Sequence, residues 1–174
     1  EEWLAAGTID LAILYGSRPV RAATDQVLLS ADLYLMGAPG ERITQRKNVR
    51  LAELAHLPML LPAVPNRHRL LIDKVFAERN IALNVTFELD SIQTMKDLAA
   101  SGRNFTILPL HAAHREISGG YLQAARIVDP SITRNVLLTH TTHHPRNRLC
   151  RAVERLAFES VESLTQSGQL PGRR

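Results

Sequence analysis

The feature that most constrains this chain is a repeated alternation of short apolar runs of strand length with stretches of helical periodicity. Residues 9–15 form a near-continuous apolar run, the pattern of a strand covered on both faces. Two more strand-like runs follow at 27–29 and 33–36, then a short helical turn at 51–54 and a short strand at 58–61 closed by Pro62. Residues 69–79 place Leu71, Ile72, Val75 and Phe76 on one helical face, with Asn80 as the stop. A strand at 85–89 leads to Ser91, the N-cap of a helix through Ile92, Met95, Leu98 and Ala99 that ends at Gly102. A strand at 105–108 is closed by Pro109, and a helix at 110–117 by Gly119 and Gly120. A strand at 135–139 then precedes a long last helix, whose expected apolar face is Leu149, Val153, Leu156, Ser160 and Leu164. Strands alternating with helices predict parallel βαβ units, hence an α/β protein.

Size and charge narrow the function classes. At 174 residues the chain can bury a real core. It has no apolar run of about 18 residues, so no membrane helix is expected. The first residues, Glu1, Glu2, Trp3 and Leu4, show no basic n-region and no apolar h-region. The single cysteine, Cys150, precludes an intramolecular disulfide and fits a reducing, cytoplasmic setting. The net charge of +4 is uneven: residues 1–133 carry 14 Lys/Arg and 14 Asp/Glu, so the excess lies in the last segment. There the arginines are spread over a strand start, a loop, a helix and the chain end, without the clustering of a nucleic-acid surface.

Catalytic and metal chemistry find no visible carrier. The chain has seven histidines; His111 and His114 share a helix, and His140, His143 and His144 follow a strand. Zinc wants three or four converging ligands with carboxylates to orient them, and no carboxylate lies near residues 140–144 in sequence. The G-x-S-x-G elbow, the G-x-G-x-x-G loop and the Walker pattern are absent, and Cys150 reads as a half-buried helix thiol. No catalytic residue, metal or cofactor is therefore expected. Polar groups do recur at strand ends, where open parallel sheets bind ligands. These are Tyr15 and Ser17, then Pro62 with Arg67 and His68, then Ser91 and Thr94, then Asn104, Phe105 and Thr106. Arg67, His68 and Arg69, just ahead of a helix, suit a carboxylate.

The order of segments carries a resemblance. Residues 4–13, LAAGTIDLAI, resemble the "L-x-x-G-x-L-D-L-A-I" stretch of the effector-binding domains of LysR-type transcriptional regulators. Residues 49–61 resemble their "v-x-L-x-D-L-x-x-x-P-x-I" segment, with Glu53 for Asp. Residues 98–109 resemble "L-V-A-A-G-x-G-x-x-I-L-P", with Ala99 for Val and Asn104 for the second glycine. Residues 62–69, 88–91 and 120–134 look closest to the nitrogen-assimilation-control branch. The resemblance implies two Rossmann-like lobes joined by a two-strand crossover, as in type 2 periplasmic binding proteins. Lobe one would be residues 1–56 and 133–168, lobe two 57–132, and 169–174 a frayed tail. A small metabolite, a carboxylate or amino acid, would bind between the lobes at the residues named above and bias an attached DNA-binding head. Homodimers, and tetramers of the full-length protein, are implied, with DNA contacted only through a helix-turn-helix. The chain starts at a helix end and without Met, so that head and the first strand of lobe one are expected to lie outside it, leaving lobe one incomplete. The alternative is a stand-alone solute-binding protein of the same fold.

Overall fold

The computed structural model describes residues 1–16 and 23–172. These fall into two compact units, 1–31 with 134–174, and 32–133. The chain leaves the first unit between Ala31 and Asp32 and returns between Thr133 and Arg134.

The second unit is built on three parallel strands: β4 (Met59–Leu61), β5 (Val85–Glu88) and β6 (Phe105–Pro109). β4 lies between the other two and pairs parallel with both. Two helices wrap them, α2 (Arg67–Ala77) between β4 and β5, and α3 (Ile92–Ala100) between β5 and β6. Side chains alternate along the strands and so divide into two cores. One gathers Leu33, Leu35, Met59, Leu61 and Ile107 under Ile72 and Phe76 of α2; the other gathers Met36, Leu60 and Leu108 under Met95 and Ala99 of α3. The sheet is mixed rather than wholly parallel. β2 (Asp25–Gly37) runs antiparallel to both β6 and β7 (Gln123–Val128), and β3 (Asn48–Arg50) pairs parallel with β7. After β6 a 3-10 turn, Leu110–Ala113, precedes α4 (His114–Ser118), so the helix expected at 110–117 is two pieces.

The strands expected at 27–29 and 33–36 are one strand, β2. Its polar middle stays extended because each group has a partner: Ser30 donates to Asn135 at 2.8 Å, and Asp32 accepts from Thr133 at 2.9 Å and pairs with Arg126 at 2.7 Å. The compact units divide the chain at other residues than the expected lobes do. Residues 32–56, expected in lobe one, belong to the second unit, held there by the β2, β3 and β7 ladders and by buried Val49, Leu51 and Leu54.

In the first unit α1 (Glu2–Ala5) ends at Gly7, which takes φ of +68°. β1 (Leu11–Gly16) pairs antiparallel with β8 (Thr133–His140), and β8 neighbours β2. Among the described residues β1 has one neighbouring strand, and it is not covered on both faces, since Ile13 and Tyr15 are about half exposed. The long helix α5 (Arg148–Gln166) packs through Cys150, Glu154, Phe158 and Val161. The face expected to be buried points away instead: Leu149 is 72% exposed, Leu156 57%, Val153 44% and Leu164 39%. Directly opposed residues share a face, so Ile13 and Tyr15 stand beside Leu138 and Val136 on the side where His140 meets Glu154 of α5. α5 therefore covers β8 and leaves β1 bare beside it. After α5, Leu170 N–H bonds to Leu164 O, and Gly172 lies against Leu29.

Candidate functional site

In the second unit the carboxyl ends of β4 and β5 and the amino ends of α2 and α3 meet at one end of the parallel strands. Both helix starts are capped. Asn66 Oδ1 accepts from His68 N at 2.9 Å, and Ser91 Oγ accepts from Thr94 N at 3.2 Å. The first turns still present other backbone N–H groups and the positive end of each helix dipole. Arg67, Ser91 and Thr94 are exposed here, while Pro62 is buried beneath them.

Arg69 braces this end. Its Nη1 donates to Pro62 O at 2.9 Å and to Glu88 at 2.6 Å, and its Nε reaches both Asp73 oxygens at 2.9 Å. Those hydrogen bonds outweigh the cost of burial, so its pKa lies above the ordinary value. A guanidinium spent on three internal partners ties two strands to a helix and does not present its fork to a ligand. His68 is likewise structural: it is buried and donates from Nε2 to Ile107 O at 2.7 Å.

The remaining residues expected at the site separate by position. Asn104 and Phe105 sit at the amino end of β6, the opposite end from Ser91; Asn104 accepts from Thr86 at 2.9 Å and Phe105 packs in the core against Gly37. The glycine-bounded loop before β6 looks like a ligand loop in sequence, but it closes a βαβ crossover at the far end of the sheet. Thr106 is fully buried in mid-sheet, donating to Leu60 O at 2.9 Å. Tyr15 is the next-to-last residue of β1 in the first unit, and Ser17 lies outside the described residues. A residue that the strand-end reading passed over, Arg134, places its guanidinium carbon 3.9 Å from the Tyr15 ring centre. A cation four residues from a cis-proline turn has no motif to announce it; only the β1–β8 register brings it to Tyr15.

The histidines occupy separate structural roles. His140 is buried 3.1 Å from Glu154 and 3.3 Å from Gln26, so the carboxylate that is missing near it in sequence is supplied by α5. Burial holds its pKa below the ordinary histidine value, against the pull of Glu154. His143 bonds the carbonyl of Ala5, and His144 that of Gly7 at 3.3 Å, both holding the turn after α1. Among the described residues no three His, Cys, Asp or Glu side chains converge as metal ligands.

Comparison with known proteins matches this arrangement. The family model of the LysR substrate binding domain covers residues 1–161. The nitrogen assimilation regulatory protein nac of Klebsiella aerogenes is 30% identical over 158 residues, 91% of this chain and 51% of that protein. The HTH-type transcriptional regulator BbuR of Bordetella bronchiseptica is 25% identical over 166 residues, 95% of this chain and 51% of its own length. The chain thus spans about half the length of these relatives. Among solved structures, the regulatory domain of Synechocystis PCC6803 CcmR in complex with 2-PG superposes with a TM-score of 0.77 at 16% identity, covering 94% of this chain and 78% of that one. The effector binding domain of QuiR in complex with shikimate gives 0.72 at 18% identity, covering 93% and 76%. At that identity the likeness is one of fold.

Proposed function

Because the chain belongs to the LysR substrate binding domain family, we propose that it is the effector-sensing part of a DNA-binding transcriptional regulator, responding to a small carboxylate or amino acid. The observation that carries the reading is the second unit's carboxyl end, where two capped helix starts face outward beside the exposed Arg67. Free N–H groups, two dipole ends and a cation together favour an anion. The relatives whose names state a role are transcriptional regulators, which supports sensing rather than catalysis. Two solved domains of this fold hold small molecules, 2-PG and shikimate, which supports a small-molecule effector here.

The rest follows the same reading. The effector favours one of two arrangements of the sensor, and the difference in its affinity for the two is what reaches the attached DNA-binding head. The chain works as a homodimer, tetrameric when full-length, in the cytoplasm, and touches DNA only through that head. No helix among the described residues is long and apolar enough to cross a membrane.

A thermal-shift screen of small carboxylates and amino acids tests it. An effector at about a hundred times its Kd adds about 2.7 kcal/mol, a rise of several degrees in Tm. Arg67→Ala should then weaken the hit. A hit whose affinity Arg67→Ala leaves unchanged places the site elsewhere, and a screen without hits removes the sensor reading.

A further inference from the structure

Packed protein interiors hold few voids larger than a water molecule. The first unit departs from this between β2 and α5, where a cavity of about 240 Å³ opens. Its walls are apolar: the buried Leu28 and Leu29 of β2, with Phe158 and Val161 of α5. Leu29 is nonetheless tightly packed elsewhere along its side chain, since a Cβ added at Gly172 would lie 2.5 Å from its Cδ1. The opening is local and not a general slackness of the layer. A cavity of about 150 Å³ lined by aliphatic and aromatic side chains takes benzene, so this one admits one ring with a short arm.

The rim leans towards hydrogen-bond acceptors. Glu162, Thr165 and Gln166 fall at i, i+3 and i+4 on one face of α5 and line the cavity together. Thr165 spends its hydroxyl hydrogen on Val161 O at 2.7 Å, so what it has left to offer is an acceptor. Glu162 adds an exposed carboxylate, and Gln166 an amide that donates or accepts. Among the described residues no lysine or arginine lines the cavity. An apolar hollow with such a rim suits a ring that carries an N–H donor and disfavours a carboxylate.

We propose that this cavity is a small-molecule site in its own right, taking a one-ring aromatic amine with the ring against Leu28, Phe158 and Val161 and the ammonium at Glu162. The inference goes beyond the effector reading, which sets an anion against the second unit, and stands or falls apart from it. An exposed ion pair contributes modestly, so burial of the ring supplies most of the affinity and Glu162 sets the preference among rings.

The test is an NMR titration of the methyl-labelled chain with benzylamine, benzyl alcohol and benzoate, which share a ring and differ in charge. Benzylamine is expected to shift the methyl signals of Leu28, Leu29 and Val161 saturably, binding about two- to fivefold more tightly than benzyl alcohol, with benzoate weakest. Glu162→Gln alters only the exposed rim and should bring benzylamine down to the affinity of the alcohol. Val161→Phe fills the hollow and should abolish binding of all three, with circular dichroism and Tm showing that it is folded. Should Val161→Phe unfold, Glu162→Gln and the wild-type shifts decide. Shifts confined to other methyls, benzylamine no tighter than the alcohol or benzoate, or no binding by any of the three overturns the inference. So does a folded Val161→Phe chain that binds as wild type does, or a Glu162→Gln chain that keeps the full preference for the amine.

Discussion

The two units are made from the same ingredients and finish differently. The second closes its sheet on both faces: α2 and α3 cover opposite sides, and two continuous apolar cores result. The first has one long helix over β8 and leaves Ile13 and Tyr15 of β1, and the Leu149–Val153–Leu156 stripe of α5, open to solvent. Both units hold buried polar atoms without a hydrogen-bond partner among the described residues, Thr139 Oγ1 and His140 Nδ1 in the first and Arg126 Nε in the second. In the second unit a buried Lys96 meets Glu116 at 2.5 Å, and the contact lowers the carboxylate's pKa. The difference teaches that alternation of strand and helix specifies a layer order but not whether each layer is covered. Coverage depends on how many helices reach each face, and here that number differs between the units.

The contrast can be broken at its strong side. Phe76 is 1% exposed at the centre of the larger core, so Phe76→Ala should cost about 3–5 kcal/mol in urea denaturation. A loss below about 1 kcal/mol would mean that the second unit is not the tightly packed one. The next effect is a pH dependence in the first unit. Burial holds His140 below the ordinary histidine value, so the folded chain binds fewer protons there than the unfolded chain does. The resulting stability is complete above about pH 6.5 and is lost as the pH falls below it, at most about 1.4 kcal/mol per pH unit. Denaturation at about pH 7.5 and about pH 5.5 should show this loss, and His140→Gln should flatten it. An unchanged slope in His140→Gln would assign the acid sensitivity to another group. The smallest effect sharpens the comparison at its weak side: Leu156→Ser on the exposed stripe should change stability by no more than about 0.5 kcal/mol. A larger loss would show that something covers that stripe in solution.

Much of the second unit was legible because its local signals agree. Ser91 caps α3, Gly102 ends it at φ of +91°, and Asn80 stops the chain after α2 at φ of +55°. Where signals competed, the reading failed. α5 has two faces of similar period; the inward one contains Glu154 and so looked polar, while the outward one is richer in leucine. Ser30 and Asp32 looked like a break between strands because their partners, Asn135, Thr133 and Arg126, lie about a hundred residues away. β3 and β7 went unread, being short or only partly apolar and held by each other. The candidate site was legible in kind rather than in membership. Polar strand ends are visible along the chain, but which end of the sheet each one occupies is decided by the crossovers. That separates Asn104 from Ser91 and brings Arg134 to Tyr15.

β2 runs through residues 25–37 without interruption and serves both units. Inserting or deleting one residue inside it would turn every following side chain to the opposite face. Leu33, Leu35 and Met36 would then change sides in the second unit and leave the cores they now fill. An insertion is expected to be tolerated better in the exposed turn around Gly40, where an added side chain would meet open space. The number of residues in β2 is therefore set by the pairing the strand makes within each unit taken by itself.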